Sequence, residues 1–207
     1  MRRALFVSVL GALGVLGACS GDDGPSGAVD ASTDGATTDA STIDAAIDAP
    51  AGVFSLTSAT ITEGMPFPLV HICDGANTSP ALSWTNPPAG TMSFAIIFTD
   101  NTNPLIHSVI YDIPANLTGL PANVQKAYAP NNVIGAHQTT GYDNTTRGYL
   151  GPCPPPANAA HTYEFALYAL SVPTLPGAVM NTGRAAARTA ILANDLAMVS
   201  LTATADR

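Results

Sequence analysis

The chain has 207 residues, 46% hydrophobic but only 6% aromatic and 11% charged, with 15 acidic against 7 basic residues and a formal net charge of −8. This balance supplies no basic surface for a nucleic acid, and no nucleic-acid partner is expected. Three cysteines, spread over the whole length, are a weak signal for a metal, and neither a metal nor a cofactor is expected.

Residues 1–19, MRRALFVSVLGALGVLGAC, read as a targeting segment. Arg2 and Arg3 form a basic start, and Ala4 to Gly17 is an apolar run with small residues near its end. The run is short of the roughly 20 residues that span a bilayer. Leu16-Gly17-Ala18-Cys19 resembles a bacterial lipobox, with Cys19 as the lipidated residue. The chain is thus expected to be an exported bacterial lipoprotein, held on a membrane by its lipid anchor on the periplasmic or cell-surface side.

Residues 20–51 are almost wholly Ala, Ser, Thr, Gly and Asp, with aspartates at 22, 23, 30, 34, 39, 44 and 48. Val29, Ile43 and Ile47 offer too little apolar surface to offset the entropy of ordering such a stretch. It reads as a disordered tether with an r.m.s. span on the order of 30 Å. Seven of the 15 acids lie here, so residues 52–207 carry eight acids against five bases.

Residues 52–207 are long enough for one domain. Strands are predicted over 53–58, 93–100, 107–114, 161–170 and 199–206. Of these, 93–100 (SFAIIFTD) is apolar on both faces and therefore covered on both. The 161–170 strand sets His161, Tyr163, Phe165, Leu167 and Ala169 on one face and is expected to be central. A helix is predicted over 183–197, capped by Asn181 or Thr182, with Ile191, Leu192, Leu196 and Val199 as its buried stripe. Strands first and a helix late predict a mainly β sandwich. The long loops at 71–90 and 114–160 read as functional. In an oxidising compartment Cys73 and Cys153, the two cysteines left after Cys19, are expected to form a disulfide.

Polar groups gather where strands begin and end. Asp100 closes one strand, His107 opens the next after a short loop, and His161 and Tyr163 open a third behind the proline-rich turn 151–156. A carboxylate can fix the tautomer of an imidazole whose other nitrogen faces a ligand, and His⁺ and Tyr suit an oxyanion. Gly151 could let its backbone approach such a ligand. Each residue alone has a plainer reading: Asp100 as a turn former, the prolines as a stiff corner, His71, His137 and Trp84 as structural. There is no Gly-x-Ser-x-Gly or HExxH motif and no evident nucleophile, so no catalytic residue is expected and the chain reads as a binder, not an enzyme.

The stretches CDGANTSPALSW (73–84), SFAIIFTD with Pro104, HSVIYDIP (107–114) and GYLGPCPPPANAAHTYEFALYAL (148–170) resemble the phosphatidylethanolamine-binding protein (PEBP) family, in its bacterial Raf-kinase-inhibitor-like branch. The resemblance implies a sandwich of antiparallel β-sheets with a C-terminal helix and a small anion pocket accepting phosphate-like groups. Its ligand-binding residues would be Asp100, Pro104, His107, Gly151, Pro152, His161 and Tyr163. A small anionic or phosphorylated ligand is the expected partner, a phospholipid headgroup among the candidates. The alternative is an extracytoplasmic regulator acting on a protein partner such as a protease. The chain departs from the family's pattern with Thr102 in place of an acid, Ser108 of an aromatic, Thr162 of a cation and Ala157 of a glycine.

Overall fold

A computed structural model describes residues 52–156 and 159–207; the leader with Cys19, the tether and Ala157 lie outside the described residues. The strands are β1 (Ser55–Thr57), β2 (Leu82–Thr85), β3 (Ser93–Asp100), β4 (Leu105–Pro114), β5 (Gly119–Leu120), β6 (His137–Gln138), β7 (His161–Leu170) and β8 (Asp195–Ala205), with one helix, α1 (Arg184–Leu192). They form a three-stranded sheet, β1-β2-β5, and a five-stranded sheet, β6-β4-β3-β7-β8. Every strand pair is antiparallel.

The apolar run of β3 places it in the middle of the larger sheet. Phe94, Ile96 and Phe98 point toward the small sheet, where Leu56, Leu82 and Trp84 meet them in one core. Ala95 and Ile97 point the other way and join Val109, Tyr111, Tyr168 and Leu170 under Ala187 and Ile191 of α1. Ile191 is fully buried, a contribution of about 2 kcal/mol. Strand β7 is central, between β3 and β8. Trp84 is packing, as expected: it is buried and its indole N–H donates to the Leu117 carbonyl at 3.0 Å.

The predicted helix is too long at its C-terminal end. It stops at Leu192, and Asp195 already begins β8. All ten residues of β7 pair with β8, from His161↔Ala205 to Leu170↔Asp195, and this ladder claims Leu196, Ala197 and Met198, residues of good helical propensity, for the strand. Of the predicted stripe only Ile191 is fully buried; Leu192 and Leu196 are exposed. The side chain of Asn194 closes the helix by donating to the Ala190 carbonyl at 2.8 Å. The N-cap is Gly183 with no side-chain cap, while Thr182 Oγ1 accepts from the Val179 N–H. β4 starts at Leu105, two residues before its predicted start. Strands β2, β5 and β6, of four, two and two residues, are too short to show a period and fall within the predicted loops.

Cys73 and Cys153 are disulfide-bonded, with their Cα atoms 5.4 Å apart across 80 residues of sequence. Closing a loop of that length removes about 4 kcal/mol of unfolded-state entropy in the chain-entropy description. Three hydrogen bonds run beside it: Tyr149 hydroxyl to His71 carbonyl at 2.7 Å, Gly151 N–H to Asn77 Oδ1 at 2.8 Å, and Cys73 N–H to Pro152 carbonyl at 3.0 Å. Cys73→Ser in the full chain should lower the unfolding free energy in urea by about 2–4 kcal/mol; a loss below about 1 kcal/mol would show that these hydrogen bonds hold the two loops without the covalent link.

Candidate functional site

Three strands deliver polar side chains to one end of the larger sheet. Asp100, the last residue of β3, pairs in register with Tyr163 of β7, which sets both on the side facing the small sheet. His161 follows two residues before Tyr163 on the same face. The Asp100 carboxylate is buried and fully engaged. One oxygen accepts from the backbone N–H groups of Thr102 (2.9 Å) and Asn103 (3.1 Å), and the other from His161 Nδ1 at 2.7 Å. The turn that follows is tied to β7, since Asn101 N–H donates to the Thr162 carbonyl and Thr162 N–H to Thr102 Oγ1, both at 2.8 Å.

His107 arrives by another route. The β3–β4 register runs Thr99↔Ile106 and then Phe98↔Ser108, so His107 is the extra residue of a β-bulge, a device that re-aims a side chain. Its ring lies against Phe98 (5.3 Å between centroids), Tyr163 (5.3 Å) and Tyr142 (4.5 Å). His107 Nδ1 donates to the Leu150 carbonyl at 3.0 Å. The two imidazoles thus flank a single tyrosine, with His161 6.3 Å from the Tyr163 ring.

In both histidines Nδ1 is committed and Nε2 has no hydrogen-bond partner among the described residues. Burial pushes the His107 pKa below its usual value, against the opposing pull of the Leu150 carbonyl and the Asp100 charge. Burial, and then the Asp100 charge, push the Tyr163 phenol up, so it stays a neutral hydroxyl. Tyr142 is likewise raised, by burial and then by the Asp143 charge.

The remaining predicted residues divide. Gly151 and Pro152 are buried, and the glycine is closely packed. A Cβ at 151 would overlap the carbonyl oxygen of His71, so any side chain would part the two clamped loops. Pro104 sits in the exposed turn before β4, on a shallow groove with Ile106, Thr140, Asn144 and Arg184. His71 is structural, as expected, held by the Thr78 carbonyl and Thr60 Oγ1, each at 2.8 Å. His137 has the partner the sequence did not suggest, Asp112 Oδ2 at 2.9 Å.

Two contributors were invisible in the sequence. Tyr142 covers His107 from the 139–150 loop. Its turn is held by Asp143, which accepts from the N–H and hydroxyl groups of Thr145 and Thr146, and by Arg184 of α1, which donates to the Thr140 and Gly141 carbonyls. Leu150 contributes only a backbone oxygen, which no residue pattern can announce. Among the described residues no group of three or more His, Cys, Asp or Glu side chains is arranged to hold a metal ion.

Comparison with known proteins covers most of this region. A family model described as phosphatidylethanolamine-binding protein matches residues 57–206. A UPF0098 protein of Aquifex aeolicus (strain VF5) is 37% identical over 133 residues, covering 61% of this chain and 75% of its own. The protein named "Putative lipoprotein LppC" of Mycobacterium tuberculosis (strain ATCC 25618 / H37Rv) is 31% identical over 175 residues, 83% of this chain and 81% of that one. The crystal structure of Escherichia coli YbcL, described as a new member of the mammalian PEBP family, superposes with a TM-score of 0.68 at 30% identity, covering 74% of this chain and 98% of that chain.

The lowered His107 pKa has a consequence for stability. Below the unfolded value near 6.5 the unfolded chain binds a proton that the buried ring resists. The His107 contribution is therefore complete above about pH 7 and lost as pH falls through about 6.5 toward the folded value. Urea unfolding of the wild type should lose stability over that range more steeply than His107→Gln; parallel pH profiles would show that the ring titrates alike in both states.

Proposed function

The chain belongs to the phosphatidylethanolamine-binding protein family, and from that premise we propose that it is a membrane-anchored binding protein whose pocket holds a small oxyanion of the phosphate type. The observation that carries this reading is the pair of buried imidazoles on either side of Tyr163, each with Nδ1 fixed by a protein acceptor and Nε2 left for a ligand. A protonated His161 would place an N–H opposite the anion while Asp100 balances its charge. The Tyr163 and Tyr142 hydroxyls, both kept protonated, supply neutral donors.

Binding without chemistry is the reading the residues favour. No Ser, Thr or Cys sits against either imidazole as a nucleophile among the described contacts, and the one cysteine pair is spent in the disulfide. The anchor reading draws on the apolar leader ending in Cys19 and on the relative named as a lipoprotein. The 175-residue alignment with that relative is longer than the 57–206 segment and takes in part of the N-terminal region.

Calorimetric titration of the full chain with inorganic phosphate and with phosphorylethanolamine tests the pocket. Saturable binding is expected, lost in His161→Ala, with the fold of the variant checked by circular dichroism. A silent titration at millimolar ligand would sink the anion pocket and turn attention to an extracytoplasmic protein partner.

A further inference from the structure

We propose that the pocket selects oxyanions that bring their own hydrogen-bond donor, hydrogen phosphate and phosphomonoesters over sulfate and phosphodiesters, and that His107 is the residue that discriminates. The proposal rests on the anion-pocket reading and adds to it a polarity that the two histidines do not share.

The difference lies in what each Nδ1 touches. His161 Nδ1 meets a carboxylate, Asp100 Oδ2 at 2.7 Å. His107 Nδ1 meets a neutral carbonyl, Leu150, at 3.0 Å. A carbonyl can only accept, so this nitrogen carries the hydrogen, and in the neutral ring Nε2 is a lone pair. His107 is only 3% exposed and is packed on Phe98, Tyr142 and Tyr163, where an imidazolium would be poorly solvated.

Burial among its neighbours works against a charge on that ring, opposed by the Leu150 and Gly151 backbone and by Asp100. From β3 it faces Asp100, whose oxygens are already taken by His161 Nδ1 and by the N–H groups of Thr102 and Asn103. From β7 it faces Tyr163 and, beyond it, His161; from the 139–150 loop Tyr142; and from α1 the charge of Arg184, which works against protonation. Burial outweighs the attraction of Asp100, and the pKa is lowered on balance.

An anion entering this pocket therefore meets the Tyr142 and Tyr163 hydroxyls as donors and the neutral His107 Nε2 as an acceptor. Sulfate and a phosphodiester have only acceptor oxygens, which would set lone pair against lone pair at His107 Nε2. Hydrogen phosphate and a monoester monoanion carry an O–H that can donate to it. A buried acceptor left unpaired by the ligand weakens binding by roughly tenfold to a hundredfold.

The test uses the full chain and two pairs of probes. Inorganic phosphate is compared with sulfate at about pH 7. Methyl phosphate is compared with dimethyl phosphate at about pH 5.5, below the second phosphate pKa near 6, where both carry one negative charge and only the first has an O–H, with the His107 ring checked to be neutral at that pH by its NMR signals. Calorimetry should give Kd values at least about tenfold tighter for the first member of each pair. In His107→Gln, whose amide can turn an N–H₂ group to the ligand, both ratios should fall toward one. The charge-matched pair in the wild type tests donor selection even if that variant does not fold. Sulfate or dimethyl phosphate binding as tightly as its partner, with binding still lost in His161→Ala, would overturn donor selection and leave the anion pocket standing. A wild-type preference that survives in folded His107→Gln would overturn the role of His107. No binding of any probe would overturn the pocket reading together with this one.

Discussion

The carbonyl oxygen of Leu150 orients the centre of the site, because it accepts the His107 Nδ1 hydrogen at 3.0 Å and so fixes the tautomer of the neutral imidazole. A backbone oxygen on a long loop is an unreliable anchor unless the loop itself is held. Here the neighbours of Leu150 are held from several directions at once: Tyr149 by the His71 carbonyl, Gly151 by Asn77, Pro152 by the Cys73 N–H, and Cys153 by the disulfide. Each contact lies within three residues of Leu150, and all reach the same partner segment, residues 71–77. The proline-rich turn is stiff for the same end, since fixed φ angles leave little freedom for the carbonyl to wander.

The partner segment is in turn made rigid by a residue that does no ligand chemistry. His71 is buried and bridges Thr60 and the Thr78 carbonyl through its two ring nitrogens while its own carbonyl accepts from Tyr149. It closes against Gly151 so tightly that no side chain could be accommodated there. The core supports this end of the sheet with aromatic packing: Phe98 stacks on Phe165 at 4.3 Å and on Tyr149 at 5.3 Å. One face of that aromatic group is ordinary hydrophobic core, and the other is the floor beneath His107 and Tyr163.

Burying two imidazoles and a carboxylate at the end of a β-sheet carries a desolvation cost unless each polar atom is satisfied. Asp100 meets that condition with three hydrogen bonds. The histidines meet it with one each and leave Nε2 open. An incompletely satisfied pair of rings, held in place by a fully satisfied surround, is how a binding site differs from a buried structural network. The Asp112–His137 pair on the same sheet is wired alike, with His137 bonded only at Nδ1, and differs in its surroundings: Asp112, at φ +56° in the other β4 bulge, also accepts from the Leu175 N–H at 2.6 Å, and His137 is stacked on Tyr128.

What residues 52–207 reveal by themselves is whatever depends on near neighbours in sequence. The apolar run 93–100 marks a strand covered on both faces, the alternation of 161–170 orders His161, Tyr163 and Phe165 on one face, and two cysteines in an exported chain are expected to pair. Asp100 and His107, seven residues apart, fall on neighbouring strand ends by the same logic, whereas His161 and Tyr163 meet them through the β3–β7 pairing. Three features were decided only by tertiary structure. The bulge that aims His107 is set by the register of β4 on β3 and leaves no mark in composition. The end of α1 is imposed by the β7–β8 ladder against local helical propensity. The Leu150 carbonyl and the Tyr142 ring reach His107 from more than thirty residues away along the chain. A backbone acceptor has no residue signature and a loop contact has no period, so only the closed fold could assign them.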